Sequence, residues 1–592
     1  MKNLLYICCS VFLFLCSCDT WDEDINIDKN VPNLKDENLS PSFFMGGMFN
    51  GAISINGDWD RSDNTFINAI LPVTAYYGKT RSLSQGNRHR SWHDFDGHVW
   101  PHCYASIRNI KNVRNIALNQ GDNRYVAVAD IWESWMFYML TTFYGDIPYS
   151  LVIADDVPLT GIDYDKQRDI YAGLLTKLKA ANDLLAGETE NIDEASDWIY
   201  YGDIAKWRKF SNTLRLRMAL HMYNADPEEA KSIANEILND PARYPVLESN
   251  EDNFQINFDG ASRTSLYYRY NPDRIKQIAL SQVFVERLAS LKDPRLYRFA
   301  TPVKKVHEEP GYVVPQNPGE DKYLGHLYGI TTSDGDAASW NGGWEYSSLL
   351  GPAFRPMDEN LEALPAAAAT PIKLATYSEM LFNLAEMAQR GIIGGDPSRY
   401  YDDAIRASFI EYDVLNGFAG RAEYDRAYAD QGVNNAEEYL EQPQVNFNGT
   451  RDKLLLINEQ RWIAIFQLHF EPYFHYRRTM LPGILASDNA GSFASTGSGK
   501  FFPSRASYPT SEAAENLKAY EKARAEGYDI AITGQDNRNL ARMWLINNAS
   551  SPSLEMETFE EPMLAEDEYP GSANFQDWYN NTWKKSFWWE NE

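Results

Sequence analysis

The stretch from residue 202 to residue 239, GDIAKWRKFSNTLRLRMALHMYNADPEEAKSIANEILN, predicts two helices joined by a short link. In its first half the apolar residues recur at helical spacing: Ile204, Trp207, Phe210, Leu214 and Met218. The pair Asp226-Pro227 then opens the second half. Aspartate accepts hydrogen bonds from the first free N–H groups of a helix, and proline suits its first position. The stretch therefore predicts a helical hairpin.

A second segment, 375–416, repeats this construction. A long amphipathic helix at 375–390 is followed by a short link and by Asp396-Pro397, which opens another helix. Two such hairpins indicate helical-repeat construction of the tetratricopeptide kind, although the strict 34-residue consensus is absent. Helical periodicity predicts further helices near 61–77, 101–119, 122–143, 166–186, 277–291, 397–416, 452–468 and 511–526.

Long stretches rich in loop-forming residues separate the predicted helices. They cover 78–100, 240–275, 300–372 and 486–510. Loops of this length within a compact chain are usually functional or disordered. We therefore expect a mainly α-helical protein with one loop-rich side.

The N-terminus predicts export and lipidation. Lys2 precedes a short apolar run that ends at Leu15-Cys16-Ser17-Cys18, and such a run is too short to span a membrane. A Cys just after Leu-x-Ser is where bacterial lipoproteins are cut and acylated. We expect a signal peptide at 1–17, a lipid on Cys18 and an acidic, flexible tether over 18–40. The alternative is an ordinary signal peptide in which the cysteines are incidental.

Composition narrows the classes of function. The 592 residues are 44% hydrophobic and carry a formal net charge of −28. Such a charge argues against nucleic acid as a partner, because phosphates require clusters of Lys and Arg. Beyond the signal and Cys18 only Cys103 remains, so no intrachain disulfide is expected. Its apolar helical surroundings predict a small buried hydrophobe.

No enzyme motif stands out. The chain has no His-Glu-x-x-His, Gly-x-Ser-x-Gly or Cys-x-x-Cys motif, and 494–501 departs from a phosphate loop at its first glycine and at its last position. A pair of glycosidase carboxylates needs only the right separation, so the 83 Asp and Glu residues decide nothing. We expect no catalytic residues, no metal and no cofactor, and keep a surface glycoside hydrolase as the less favoured alternative.

Six segments in a fixed order carry a resemblance. They are Phe143-Tyr144-Gly145-Asp146-Ile147-Pro148-Tyr149, residues 207–217 (WRKFSNTLRLR), Asp293-Pro294-Arg295, residues 378–386 (SEMLFNLAE), residues 459–464 (EQRWIA) with 476–479 (YRRT), and residues 503–509 (PSRASYP) with Glu512 and Asn516. Each alone is weak. Together they make the chain, from about 40 to 548, resemble the SusD/RagB family of nutrient-binding outer-membrane lipoproteins of Bacteroidetes.

The resemblance implies a fold and a role. The fold would be α-helical, with about four tetratricopeptide-like hairpins and a loop-rich ligand-binding side. The role would be that of a hinged lid that captures a nutrient and delivers it to a SusC-like TonB-dependent transporter. The acids after Cys18 resemble the signal that places such lipoproteins on the exterior face of the outer membrane. The ligand would be an oligosaccharide or, as the RagB branch suggests, an oligopeptide.

The resemblance also sets the domain organisation. We expect a single SusD-like domain over 41–550. Members of the family commonly end soon after a segment like Arg542-Met543-Trp544, whereas this chain continues with an aromatic and acidic extension over 551–592.

Candidate ligand-binding residues come from the loops, because aromatic rings with polar neighbours suit sugar binding. Tryptophans within helical patterns (Trp132, Trp135, Trp207 and Trp462) are expected to be core instead, and Trp100 as well. The candidates are Trp92, Trp340, Asn341, Trp344, Tyr76, Tyr77 and Arg81. The alternative for each is packing of its loop onto the helices.

Overall fold

The structure is a computed structural model, and it describes part of the chain. The described residues are 38–55, 74–79, 99–154, 161–270, 272–306, 322–326, 344–414, 436–484, 486–487, 502–506, 508–528, 543–546, 550–553 and 558–559. The predicted signal peptide, Cys18 and most of the predicted tether and C-terminal extension lie outside them.

Fourteen helices longer than four residues are labelled in chain order within the described residues. They are α1 (Met45–Ile55), α2 (Val99–Gln120), α3 (Asn123–Tyr144), α4 (Gln167–Ala186), α5 (Ile204–Met222), α6 (Pro227–Asn239), α7 (Gln282–Ser290), α8 (Tyr377–Gln389), α9 (Pro397–Glu411), α10 (Ala436–Glu441), α11 (Lys453–Ala464), α12 (Glu471–Thr479), α13 (Thr510–Glu515) and α14 (Leu517–Ala525). Four-residue helices occur at Ser150–Ile153, Leu266–Arg269, Pro272–Ile275 and Leu296–Phe299.

Helices that follow one another pack against one another. Contacts run in sequence from α2 through α6, then between α8 and α9, and α8 also packs on α5 and on α11. Both predicted hairpins are confirmed at their caps: Asp226 accepts from Glu229 N–H at 3.3 Å, and Asp396 accepts from Ser398 N–H at 2.9 Å. The prediction of a mainly α-helical fold built from helical hairpins is thus confirmed.

Strands contribute little to the architecture. Each of the three described ladders has two strands. The strand β1 (Tyr77–Lys79) pairs antiparallel with β3 (Ile278–Leu280), and β2 (Phe254–Ile256) pairs antiparallel with β4 (Ile372–Ala375). The third ladder is parallel and joins β5 (Ala486–Ser487) to β6 (Thr558–Phe559). These ladders join loops that are far apart along the chain.

The core is formed by the inner faces of the helices. Trp132, Trp135, Trp207 and Trp462 are buried there as predicted, and so are Trp100 and the free Cys103. Burial raises the pKa of the Cys103 thiol well above its usual range. A buried thiol held in its neutral form suits a packing role.

Five predicted helices have other bounds in the structure. The predicted 397–416 helix ends at Glu411, and the predicted 511–526 helix is divided at Asn516 into α13 and α14. The predicted 277–291 helix begins only at Gln282, because Ser281 caps it and the preceding residues form β3. The predicted 61–77 helix does not reach Tyr77, which begins β1; its first part lies outside the described residues. The predicted 452–468 helix stops at Ala464, beyond which Gln467 has a positive φ of 69° that breaks the helix.

Candidate functional site

The loop-rich side is assembled on the strand β3. Its outer partner is β1, in antiparallel register. Leu280 also donates its N–H to Ser348 O at 2.9 Å and accepts from His326 N–H at 2.7 Å. Three loop segments that are remote in sequence are thereby brought to one short strand.

A glycine permits the closest of these approaches. Gly325 lies against the backbone of Gln282, and a Cβ at position 325 would stand 2.2 Å from Gln282 Cα. No larger residue fits there without moving the backbone. The segment 322–326 is therefore held tightly beside α7.

Trp344 occupies a short helical turn, Trp344–Tyr346, which directly precedes the segment that bonds to β3. Glu345 anchors the turn: its carbonyl accepts from the N–H groups of Lys304 and Lys305, both at 2.9 Å. The Lys305 ammonium also lies 2.5 Å from Glu345 Oε2. Trp344 is half-buried and packs against the core, so a rigid turn presents part of its ring at the surface.

Two lysines flank the Trp344 ring. Lys304 Nζ lies 5.0 Å and Lys276 Nζ 5.4 Å from the ring centroid, which is within the range of cation–π attraction. Sequence reasoning missed both residues. The adjacent pair Lys304-Lys305, unusual in so acidic a chain, was the available signal for one of them.

Two of the predicted ligand-binding residues, Tyr76 and Tyr77, are instead part of the core. Both side chains are buried, at 0% and 1% exposure. Tyr76 stacks on Trp462 with ring centroids 5.0 Å apart and donates its hydroxyl to the carbonyl of that residue, and Tyr77 Oη accepts from Gln467 Nε2 at 2.7 Å. Burial raises the pKa of both phenols well above the usual value. The structure contradicts the prediction that these rings contact ligand, because both are buried in the core.

The remaining predicted site residues lie outside the described residues. They are Trp92, Trp340, Asn341 and Arg81. Their contact with ligand stays a prediction, and among the predicted residues the structure places Trp344 alone at a described surface.

The family-like motifs meet in space and brace the scaffold. The segments around 143–146, 477 and 503–508 are joined by hydrogen bonds of 2.6 to 2.9 Å: Ala506 N–H to Phe143 O, Tyr508 Oη–H to Asp146 O, and Arg477 Nη1–H to Thr142 O and to Ser504 O. These contacts join the end of α3 to α12 and to the segment 502–508. The motifs therefore report the fold rather than the ligand.

A buried ionic cluster joins four helices. Arg217 of α5 pairs with both carboxylate oxygens of Glu379 of α8 and, at 3.2 Å, with Glu471 of α12. Glu386 of α8 pairs with Arg461 of α11 and Arg478 of α12. All these side chains are at most 5% exposed. Buried charges are tolerated only when they are paired, so the cluster fixes how these helices meet.

Glu471 is a weakly satisfied member of this cluster. Its Oε1 accepts from Tyr138 Oη at 2.8 Å, whereas its Oε2 has no hydrogen-bond partner in the described part of the chain. That oxygen faces His221 Nε2 at 3.6 Å, and burial raises the pKa of Glu471 to about 7 despite the opposing charge of Arg217.

We expect Glu471→Gln to change how stability depends on pH. The carboxyl pKa is about 4.3 in an unfolded chain, so the folded state holds this proton more tightly. The contribution of Glu471 to the free energy of unfolding is complete below about pH 4 and is lost as the pH rises through 7. Relative to the wild type, the variant should gain stability on the order of a few kcal/mol between pH 5 and pH 8. Urea unfolding at both pH values measures this.

Glu248→Gln is the matched control for that experiment. Glu248 also pairs with a cation, Lys209 at 2.7 Å, but its side chain is 71% exposed. The control should keep the wild-type pH dependence. A difference between Glu471→Gln and wild type that does not change with pH would contradict the assignment.

Three potential metal ligands also meet at Glu471. One donor atom each from His221, Glu471 and His475 lies within 4.8 Å of the others. Burial lowers the pKa of both histidines well below the usual value, and the nearby charges of Arg478 and Arg217 act in the same direction. All three side chains are buried, and both histidines lie 3.6 Å from Glu471 Oε2.

The described helices include none that is both long enough and apolar enough to cross a membrane.

The fold and the loop surface together define a class of protein, a helical-repeat binding protein. Its loops present the Trp344 ring beside polar groups, which is the usual composition of a ligand-binding site. The sequence profile of the SusD-like family, described as starch-binding and associating with the outer membrane, matches residues 37–509. The chain belongs to this SusD-like family. A search of curated proteins finds no match.

Several solved structures have the same fold as this chain. A SusD homologue from Bacteroides fragilis shares 22% identity with a TM-score of 0.69, over 86% of this chain and 100% of that chain. A chitin-binding protein shares 24% identity with a TM-score of 0.66, over 86% and 99%. A chitin-binding SusD homologue from Flavobacterium johnsoniae shares 21% identity with a TM-score of 0.65, over 85% and 98%. At these identities the likeness establishes the fold.

Proposed function

We propose that this protein is a non-catalytic surface receptor that captures an oligosaccharide and delivers it to a SusC-like TonB-dependent transporter. The lipid on Cys18 would anchor it to the outer membrane, facing the exterior, and the tether would let it act as a hinged lid. Membership of a family described as starch-binding supports the carbohydrate ligand. The structural observation that carries the proposal is Trp344, a half-buried ring on a rigid turn of the loop side.

The chemistry of Trp344 suits a sugar. One face of a pyranose ring is lined by C–H groups that pack on an aromatic ring, while its hydroxyls need donors and acceptors nearby. The lysines beside Trp344 supply donors, and the Trp344–Tyr346 turn holds the ring in place. A receptor that must release its cargo to a transporter also gains nothing from very slow dissociation, so we expect modest affinity.

We expect Trp344→Ala to weaken oligosaccharide binding about fivefold or more, since a lost aromatic contact is worth about 1 kcal/mol. Calorimetry with chitin-derived and starch-derived oligosaccharides measures the change. Phe43→Ala is the control, because Phe43 is an aromatic residue that is 64% exposed in a different segment, Pro41–Phe44. Unchanged affinity in the Trp344 variant would place the binding site elsewhere.

Two further outcomes bear on the proposal. Binding of components of a peptide mixture, with no glycan bound, would replace the oligosaccharide by an oligopeptide. Turnover of any glycan by the purified protein would overturn the non-catalytic role.

Co-purification with a TonB-dependent transporter from detergent-extracted outer membranes tests the proposed partner. Loss of outer-membrane association in the Cys18→Ala variant tests the proposed lipid anchor.

A further inference from the structure

We propose that the oligosaccharide taken at the Trp344 surface is anionic and carries a carboxylate or sulfate group. This inference rests on the proposed function and names the chemical class of its ligand. It begins from a local cluster of cations: the whole chain has a net charge of −28, yet three lysine ammonium groups lie around this one turn, and only two of them pair with a described carboxylate.

The three ammonium groups come from two separate segments. Lys304 Nζ and Lys276 Nζ lie 5.0 and 5.4 Å from the centroid of the Trp344 ring, and Lys305 Nζ lies 5.8 Å from that of Tyr346. All three side chains reach solvent, because Lys305 is exposed and the other two are half-buried.

Their charges are unequally compensated. Lys305 has a close carboxylate partner in Glu345, at 2.5 Å. Lys276 is 3.4 Å from Asp273, a carboxylate that is itself 81% exposed and therefore weakly coupled. Lys304 differs from both, because its Nζ donates at 2.7 Å to the carbonyl oxygen of Glu359 and no described carboxylate lies within ion-pair distance of it.

The acceptor of Lys304 is neutral, and within the described part of the chain no carboxylate cancels its charge at ion-pair distance. The carbonyl and the Trp344 ring keep the ammonium in place without cancelling its charge. An anionic group on a bound sugar would cancel it with a charge-assisted hydrogen bond, which is stronger than one to a neutral hydroxyl. The same sugar would rest its C–H face against the exposed part of Trp344.

The lysines also favour anionic over neutral ligands. A neutral pyranose can offer the ammonium groups only hydroxyl oxygens, which accept weaker hydrogen bonds from a cation than a carboxylate or sulfate does. An anionic sugar draws the ammonium toward its own charge and gains from both groups. The arrangement therefore selects for charge as well as for shape.

The test compares matched acid and neutral ligands on the full mature chain. Calorimetry at low salt would measure oligogalacturonate against its methyl ester, and sulfated galactan oligosaccharides, which contain no uronic acid, against their desulfated form. We expect at least one acid form to bind about tenfold more tightly than its matched partner, and this preference to shrink as salt is added. A preference in the first pair identifies a carboxylate, and one in the second pair identifies a sulfate.

The variant Lys304→Gln should remove most of that preference and leave affinity for the neutral partner within about twofold. Lys518→Gln, at an exposed lysine of α14, is the matched control and should behave as wild type. Equal binding of acid and neutral forms, or a preference that survives Lys304→Gln, would overturn this inference while leaving an oligosaccharide receptor intact. Binding of no glycan of either kind would instead overturn the proposed function, and the inference with it.

Discussion

Replacing Glu386 by glutamine is expected to lower the free energy of unfolding by about 3 to 5 kcal/mol, because it leaves buried arginines without their counter-charge. Glu386 is fully buried in α8. Arg478 contacts its two oxygens at 2.7 and 2.6 Å, Arg461 contacts Oε2 at 2.7 Å, and Arg390 contacts Oε1 at 2.7 Å. Glutamine has nearly the same shape, so the change removes charge and leaves packing almost unchanged.

The same contacts predict the dependence on pH. Burial opposes ionisation of Glu386, but Arg478 and Arg461 outweigh it and hold the pKa of its carboxyl well below the usual value. Such a group stabilises the fold above the pKa of the unfolded chain, about 4.3, and this contribution is lost as the pH falls further. As the pH falls below about 4.3, the wild type should therefore lose stability that the Glu386→Gln variant already lacks at neutral pH.

Glu437→Gln is a closely matched control. Glu437 also makes a two-pronged pair with an arginine, Arg406, at 2.7 and 2.8 Å, but its side chain is 66% exposed. Its loss should cost less than about 1 kcal/mol. Urea unfolding followed by circular dichroism compares the two variants. If both variants lost a similar free energy of unfolding, burial would not be the reason that Glu386 stabilises the fold.

Gly202→Ala is expected to cost about 3 kcal/mol or more. Gly202 stands just before Asp203, which caps α5, and has a φ of +89°. An alanine there would be strained by about 1 to 2 kcal/mol. Its Cβ would also lie 2.4 Å from the carbonyl oxygen of Ile192, a backbone atom that cannot rotate away. Overpacking of this kind adds a further 1 to 3 kcal/mol or so.

Gly121→Ala separates the two causes. Gly121 has a similar φ of +70°, but a Cβ there would meet no heavy atom of the structure within 4 Å. This variant should show only the cost of the backbone conformation, about 1 to 2 kcal/mol. Thermal or urea unfolding of both variants gives the comparison. Equal losses would show that the contact with Ile192 contributes nothing.

The helical scaffold was predictable because its signals are local. Ile204, Trp207 and Phe210 recur at the period of a helix, and Asp226 and Asp396 each stand just before a proline where a cap is required. These relations span a few residues and need no knowledge of the rest of the chain. Two of the errors arose at Ser281 and Gln467, where a cap and a left-handed residue interrupt an apolar pattern that continues past them.

The candidate site was predictable only in part. A tryptophan in a glycine-rich loop pointed to Trp344, but nothing around Tyr76 and Tyr77 in the sequence distinguishes a surface aromatic pair from a buried one. Their burial depends on Trp462 and Gln467, which lie nearly 400 residues further along the chain. Lys276 was missed for a similar reason, since its approach to Trp344 depends on how β3 receives a distant loop.

By itself, the sequence determined the helical class, the hairpins and their caps, and it carried the ordered motifs of the SusD-like family. Tertiary structure alone decided which charges are paired, which aromatics are buried and which lysines surround Trp344. The physical reason is range. Helix periodicity and capping act over one or two turns, whereas contacts such as Arg217 with Glu379, or Lys276 with Trp344, exist only after remote segments have packed together.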